Sequence, residues 1–235
     1  MSHDMGDEDK SSSVKGLQMR QFDFYEFAGV IAPGVVILLA AGLIWPDYLG
    51  SVQKLDVTLG GFGLALVLAY VAGHLLQGIG NMFEWAWWKL NGGWPSDWPR
   101  HGKGNLLSEL QLAKLQERLR SDLGFSDITF GPSLSAKAWH PIFRQVYATV
   151  RAAGRDDRAH TFNGNYGMFR GIVSAALVAT VGILIARGWT AWPLATVFLV
   201  AAALAVFRMH RFAIHYARET LVQFISLPQR AGGAG

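Results

Sequence analysis

The chain has 235 residues, of which 51% are hydrophobic and 16% charged, and it contains no cysteine. Soluble domains usually carry about 25% charge, so a purely soluble domain is disfavoured, and the missing thiols exclude disulfides, thiolate metal sites and cysteine nucleophiles. The formal net charge of +4 would suit nucleic acid, but the placement of the cations supplies another cause.

Residues 1–21 hold almost nothing apolar and read as a disordered tail. This leader is long, acidic and polar, and no small-residue cleavage pattern follows the first apolar run. That run is therefore expected to anchor the chain rather than to be removed as a signal peptide. Four runs lack Asp, Glu, Lys and Arg: 27–45, 57–80, 171–186 and 190–207. A spanning helix needs about 20 apolar residues. The first, second and fourth runs suffice alone. The third is short, but its helix is expected to start upstream, near Phe162. Within the first run, Pro33-Gly34 suits a kink or a hinge, with a pair merely tolerated in packing as the commoner reading, and Asp23 and Glu26 suit the helix N-terminus.

The fold class expected is all-α: a polytopic membrane protein with four transmembrane helices and a cytoplasmic helical insert between spans two and three. The divisions are a tail at 1–21, a first transmembrane hairpin at 22–80, an insert with helical stalks at 81–169, a second hairpin at 170–207, and a C-terminal helix and tail at 208–235. Four spans put both termini and the insert on one side. Nineteen of the 21 cations fall on that side, and only Lys54 and Arg187 lie on the other. Lys and Arg concentrate on the cytoplasmic face. An inner-membrane location with both termini cytoplasmic follows, and nucleic acid is not expected as a partner. Phe22, Phe24, Tyr25, Phe27, Trp45, Trp85, Trp87, Trp88, Trp189 and Trp192 flank the spans, as interfacial aromatic anchors do.

In the insert, "NGGWPSDWPRHGKGN" is a Gly- and Pro-rich break. The next segment reads as a helix with an apolar stripe of Leu107, Leu110, Leu115, Leu119 and Leu123, stopped by Gly124. "FSDITFGPSLS" is irregular, with room for a short strand. A helix is then expected to begin with Pro141 in its first turn and to stop at Gly154. Another should run from about Asp156 into span three. After span four, a helix is expected up to Pro228. Phe207, Ile214, Leu221 and Phe224 share one face of it, and Arg208, Arg211, His215 and Arg218 share another.

Three groups of residues are candidates for function. Tyr70, His74, Gln77, Asn81 and Glu84 recur every three or four residues and form one polar helical stripe. Beside it, Gly61, Ala65, Ala69 and Gly73 are each four apart, a spacing that lets helices approach closely. Polar groups in a bilayer must face protein or water. The favoured reading is hydrogen bonding between helices, worth about 0.6–2 kcal/mol per group. The alternative is a polar pathway or a pH-sensitive gate at His74. The third group is Arg158, Arg170, Arg208, Arg211 and Arg218, a basic collar whose favoured reading is snorkelling to lipid headgroups and whose alternative is an anion site for the phosphates of a nucleotide messenger.

Enzyme signatures are absent: there is no H-E-x-x-H, G-x-S-x-G or phosphate-loop pattern. No metal site and no cofactor are expected. The three stretches "FDFYEFAGVIAPG", "AYVAGHLLQ" and "FNGNYGMFRG" resemble segments of poorly characterised bacterial four-span inner-membrane proteins, some associated with phage-defence gene sets. The resemblance implies an accessory or effector membrane protein and attaches no activity to any residue. The function expected is non-enzymatic: an oligomeric effector, sensor or pore-type component in antiviral defence. Its partners would be the lipid bilayer, further copies of itself and a cytoplasmic protein. Two alternatives stay open. One is a membrane-bound enzyme using His74 or His140 with Ser135 and Lys137. The other is a small transporter, although no repeated halves are visible.

Overall fold

The computed structural model describes residues 27, 29–46, 59–101, 106–126 and 128–228. The tail, Phe22, Phe24, Tyr25, Asp23, Glu26 and Lys54 lie outside the described residues. Within them the secondary structure is helical, with no strand. The elements are α1 (Gly29–Ile44), α2 (Leu59–Leu90), a 3-10 turn (Pro95–His101), α3 (Glu109–Leu123), α4 (Ala136–Ala152), α5 (Asp157–Arg187), a second 3-10 turn (Trp189–Ala191) and α6 (Trp192–Ser226). Three stretches are long and apolar enough to cross a membrane: Gly60–His101, Asp157–Arg187 and Trp189–Ser226. α1 is also apolar but shorter. It is interrupted at Trp45, just before Pro46, where the proline ring disfavours helical backbone in the preceding residue.

The chain divides into two compact units. The first comprises residues up to Phe83 together with Gly167–Phe207. The second comprises Glu84–Tyr166 and the chain from Arg208 onward.

The first unit is packed with small residues. Ala175, Ala176 and Ala179 of α5 are fully buried, as is Ala40 of α1. A Cβ on Gly34 would overlap the Ala69 carbonyl, and one on Gly73 would overlap the Val30 carbonyl. α1 and α2 therefore cross backbone against backbone, where only glycine fits. A small apolar cluster of Ile44, Ile183 and Ala195 is flanked by Leu184, Leu194 and Phe198. The Arg187 Nε donates to the Ile44 carbonyl at 3.2 Å, satisfying one of the open carbonyls at the end of α1. Gly188, at φ +68°, then turns the chain towards α6.

The second unit has a core of large side chains. Trp139, Leu115, Leu119, Val146, Val150, Leu221 and Phe224 are buried together. α3 starts with a capping box, in which the Ser108 hydroxyl accepts from the Gln111 N–H and the Gln111 side chain accepts from the Ser108 N–H. It ends at Gly124 in the left-handed conformation, φ +73°, as the sequence suggested.

Three details differ from expectation. Leu110 is 81% exposed, and Leu112 takes its place in the buried stripe with Leu115 and Leu119. At about 100° per residue, Leu112 lies roughly 60° around the helix from Leu115, whereas Leu110 lies roughly 140° away and faces outward. α4 begins at Ala136 behind the cap Ser135, whose hydroxyl accepts from the Ala138 N–H, so Pro141 lies inside the helix rather than in its first turn. The cap and the buried Trp139 fix the start earlier, since Trp139 also donates to the Ser96 carbonyl at 2.6 Å. The segment around residues 125–134 forms turns and no strand among its described residues.

Candidate functional site

The polar stripe of α2 is divided. At 100° per residue its five members span an arc of about 80°, and the edge of the packed surface runs through that arc. Gln77 is half-buried and Glu84 is buried, while Tyr70, His74 and Asn81 are exposed. The small-residue stripe divides as well. Ala69 and Gly73 are buried, Gly61 is intermediate and Ala65 is exposed. Residues four apart drift by about 40° per step, so a four-residue repeat leaves a straight contact line after two or three turns.

In the first unit, Gln77 is the polar hub. Its Nε2 donates to the carbonyls of Gly29 and Gly167 at 3.2 and 3.4 Å. Its Oε1 accepts from Arg170 at 2.7 Å. One amide thus ties α1, α2 and α5 together, and Arg170 is committed to this hub. Tyr70 and His74 meet edge to face with ring centroids 4.5 Å apart.

In the second unit, Glu84 belongs to a buried relay that the sequence does not reveal. The Trp88 Nε1 donates to the Tyr166 hydroxyl at 2.9 Å, and that hydroxyl donates to the Glu84 carboxylate. Glu84 is 5% exposed, so the hydrogen bond offsets the cost of burying its carboxylate. Trp88 also stacks on His210 at 5.1 Å, and the Trp87 Nε1 donates to the His210 Nδ1 at 3.2 Å. Accepting at Nδ1 requires a neutral imidazole. Burial pushes the His210 pKa below its ordinary value and favours that neutral form. Two of the three tryptophans near the end of α2 are therefore packed and hydrogen-bonded. Trp85 stays exposed at the surface, with the Lys89 ammonium 4.9 Å above its ring. The available signal is the i, i+4 spacing of Glu84 and Trp88.

The arginine group separates in the same way. Arg170 is in the first unit, and Arg158, Arg208, Arg211 and Arg218 are in the second. These four act together on His215, which lies beyond the apolar run. Its pKa is lowered by burial first, then by Arg211, Arg218, Arg158 and Arg208. Phe162 of α5 lies 5.3 Å from the His215 ring and 6.2 Å from Phe212. Arg208 covers Phe212 at 4.7 Å and Arg158 covers Phe162 at 5.9 Å. The residues of the enzyme alternative are placed differently. The Ser135 hydroxyl caps α4, and Lys137 and His140 are exposed on that helix.

Comparison with protein-family models, with curated proteins and with solved structures finds no match to this chain. The reading of the site rests on its own chemistry.

Proposed function

We propose that this chain is a non-enzymatic inner-membrane protein with four spans, its termini and the 81–169 insert cytoplasmic, acting as an oligomeric effector or sensor. The helical unit formed by the insert and the C-terminal helix docks a ligand or partner, and the apolar helices carry the response in the bilayer. The observation that carries this reading is the contrast in burial. Only 17% of the most apolar window of α2 is buried, and the same holds for α6, while the second unit closes its own core of large side chains. Apolar surface on that scale must be covered by lipid or by further copies of the chain. In this reading α1, the shorter apolar helix, is the fourth span.

Reporter insertions near Gly102 and after Gly235 should read cytoplasmic, and one near Gly50 external. Electron microscopy of the detergent-purified protein should show a closed assembly of several copies. An external reading at Gly102 would overturn the threading. Monodisperse single copies in every detergent would overturn the oligomer.

A further inference from the structure

We infer that the face formed by Arg158, Arg208, Arg211 and Arg218 binds a phosphate group above His215 and the rings of Phe162 and Phe212. The inference gives a ligand chemistry to the helical unit, and it holds whatever the number of spans or copies.

The first argument is charge. The charges of four arginines act on one half-buried imidazole, and one of them, Arg218, also donates from its Nε to the Leu106 carbonyl at 3.1 Å. Glu219 approaches Arg158 at 3.8 Å, and that arginine side chain is 72% exposed. An exposed pair of that kind offsets little. Like charges three or four residues apart on a helix destabilise it. A bound dianion would attract all four cations at once.

The second argument is geometry. Arg208, Arg211, His215 and Arg218 follow one another at spacings of 3, 4 and 3 and so line one face of α6. Arg158 and Phe162, four apart on α5, meet that face, as the Phe162 contacts with Phe212 and His215 show. Two helices thus present guanidinium groups around a shared aromatic floor. The guanidinium fork matches phosphate oxygens in pairs. Guanidinium forks carried on two helices that meet at Phe162 favour a multiply charged phosphate over a single carboxylate. Because burial and the surrounding cations hold His215 neutral, its imidazole can still accept or donate a hydrogen bond.

Two sources can supply that phosphate. Arg208 directly follows the apolar run ending at Phe207, which suits a lipid headgroup. Arg218 lies further along the same helix, about 15 Å away at 1.5 Å per residue. The headgroup layer on each side is only about 5–8 Å deep. The outer part of the face is therefore placed for a phosphate carried by a soluble molecule.

The test uses the full chain in nanodiscs, with histidine ring resonances followed by NMR through a pH titration in about 0.15 M salt, near the physiological screening length. The His215 signals are assigned with His215→Asn. In one arm the discs contain phosphatidylcholine alone and inorganic pyrophosphate is added. In the other they contain phosphatidylglycerol and no pyrophosphate is added. A bound phosphate should move the His215 pKa upward, towards its ordinary 6.5, and saturably. Arg158→Gln with Arg211→Gln should weaken the effect at least tenfold. The same positions changed to Lys keep the charge and the fold but lose the fork, and should weaken it by a smaller factor. Lys137→Gln with Arg144→Gln removes equal charge from α4 and should leave it intact. A shift in the pyrophosphate arm identifies a soluble ligand, and a shift in the lipid arm alone identifies a headgroup. No shift in either arm overturns the inference. So does a shift that survives Arg158→Gln with Arg211→Gln, or one that the α4 pair abolishes equally.

Discussion

The two units bury opposite kinds of residue. In the first, alanines and glycines are inside, while Phe62, Val67, Leu75, Ile185, Val197 and Leu204 are exposed. In the second, Trp139, Leu115, Leu119 and Phe224 are inside, and the exposed large apolar residues are Trp85, Leu90, Trp94 and Leu110. Water drives large apolar side chains into a core. Hydrocarbon does not, because lipid tails are as apolar as leucine, and helices there meet through small residues and hydrogen bonds. The inversion along one chain is what two solvents would produce. It also explains the two kinds of polar anchor: an amide hub at Gln77 in the first unit, and a buried arginine in the second.

That arginine gives the largest expected effect. Arg118 is 3% exposed and pairs with Asp122 at 2.7 Å. It also donates to the carbonyls of Leu227 and Pro228 at 2.8 and 3.4 Å, tying α3 to the chain beyond α6. Breaking a buried pair by removing one partner costs about 3–5 kcal/mol. Arg118→Ala should therefore unfold the second unit at markedly lower temperature, read by the near-ultraviolet signal of Trp139. The first unit should retain its helicity. Simultaneous loss of all helix would break the separation between the units.

Alkaline pH should act on the same unit. Burial pushes the Tyr216 pKa from its ordinary 10 up to about 12, with Tyr147 adding to it. The folded state thus favours the neutral phenol. The stabilisation is fully present below pH 10 and is lost as pH rises through 12. At 1.36 kcal/mol per pKa unit, the loss is about 2.7 kcal/mol. Tyr216→Phe should remove that part of the alkaline slope in thermal unfolding. An unchanged slope would show that Tyr216 ionises as freely in the folded chain as in the unfolded one.

Much of this division is written in the sequence, and the parts that are not have specific causes. The charge-free runs mark the long apolar helices, and the Ser108 and Gly124 signals mark the ends of α3. Leu110 misleads because being a leucine does not place a residue within the helical arc that faces the core. The burial of Arg118 is invisible in the sequence because an arginine four residues before an aspartate in an amphipathic helix looks like a solvated face; the carbonyls it also binds are 109 and 110 residues away. The Glu84–Tyr166–Trp88 relay joins residues 78 and 82 apart, and no local pattern encodes that. The four arginines are recognisable as a group on their periodicity, but only the packing of Phe162 against Phe212 and His215 separates them from Arg170 at the Gln77 hub.

Glycines in α2 test the packing of the first unit more finely. A Cβ on Gly73 would overlap the Val30 carbonyl, whereas one on Gly78 would meet nothing within 4 Å. Gly73→Ala should force α1 and α2 apart, at the roughly 1–3 kcal/mol typical of overpacking. Gly78→Ala relieves helix-interior glycine and should stabilise by about 0.5–1 kcal/mol. Unfolding in mixed micelles would measure both. Equal effects of the two substitutions would mean that the α1–α2 crossing is not a close backbone contact.

His74 is one of the polar residues exposed on the first unit, with Tyr70 and Asn81, and its expected effect is the smallest. Its ring contact is with Tyr70, one turn back on the same helix. Substituting an exposed residue that makes no such cross-helix contact usually changes stability by less than about 0.5 kcal/mol. His74→Gln should therefore leave the unfolding of a single chain almost unchanged. A polar group facing hydrocarbon still needs a partner, and in an assembly a second copy can supply it. If it does, the contact is worth about 0.6–2 kcal/mol, which His74→Leu would remove. Subunit dissociation, followed by energy transfer between labelled copies in bilayers, should then rise about 3- to 30-fold, at 1.36 kcal/mol per factor of ten. His74→Gln should restore most of the association, because its amide still donates and accepts. Equal association for Leu, Gln and His would mean that the face carrying Tyr70 and His74 meets lipid alone, and that any assembly uses a different face.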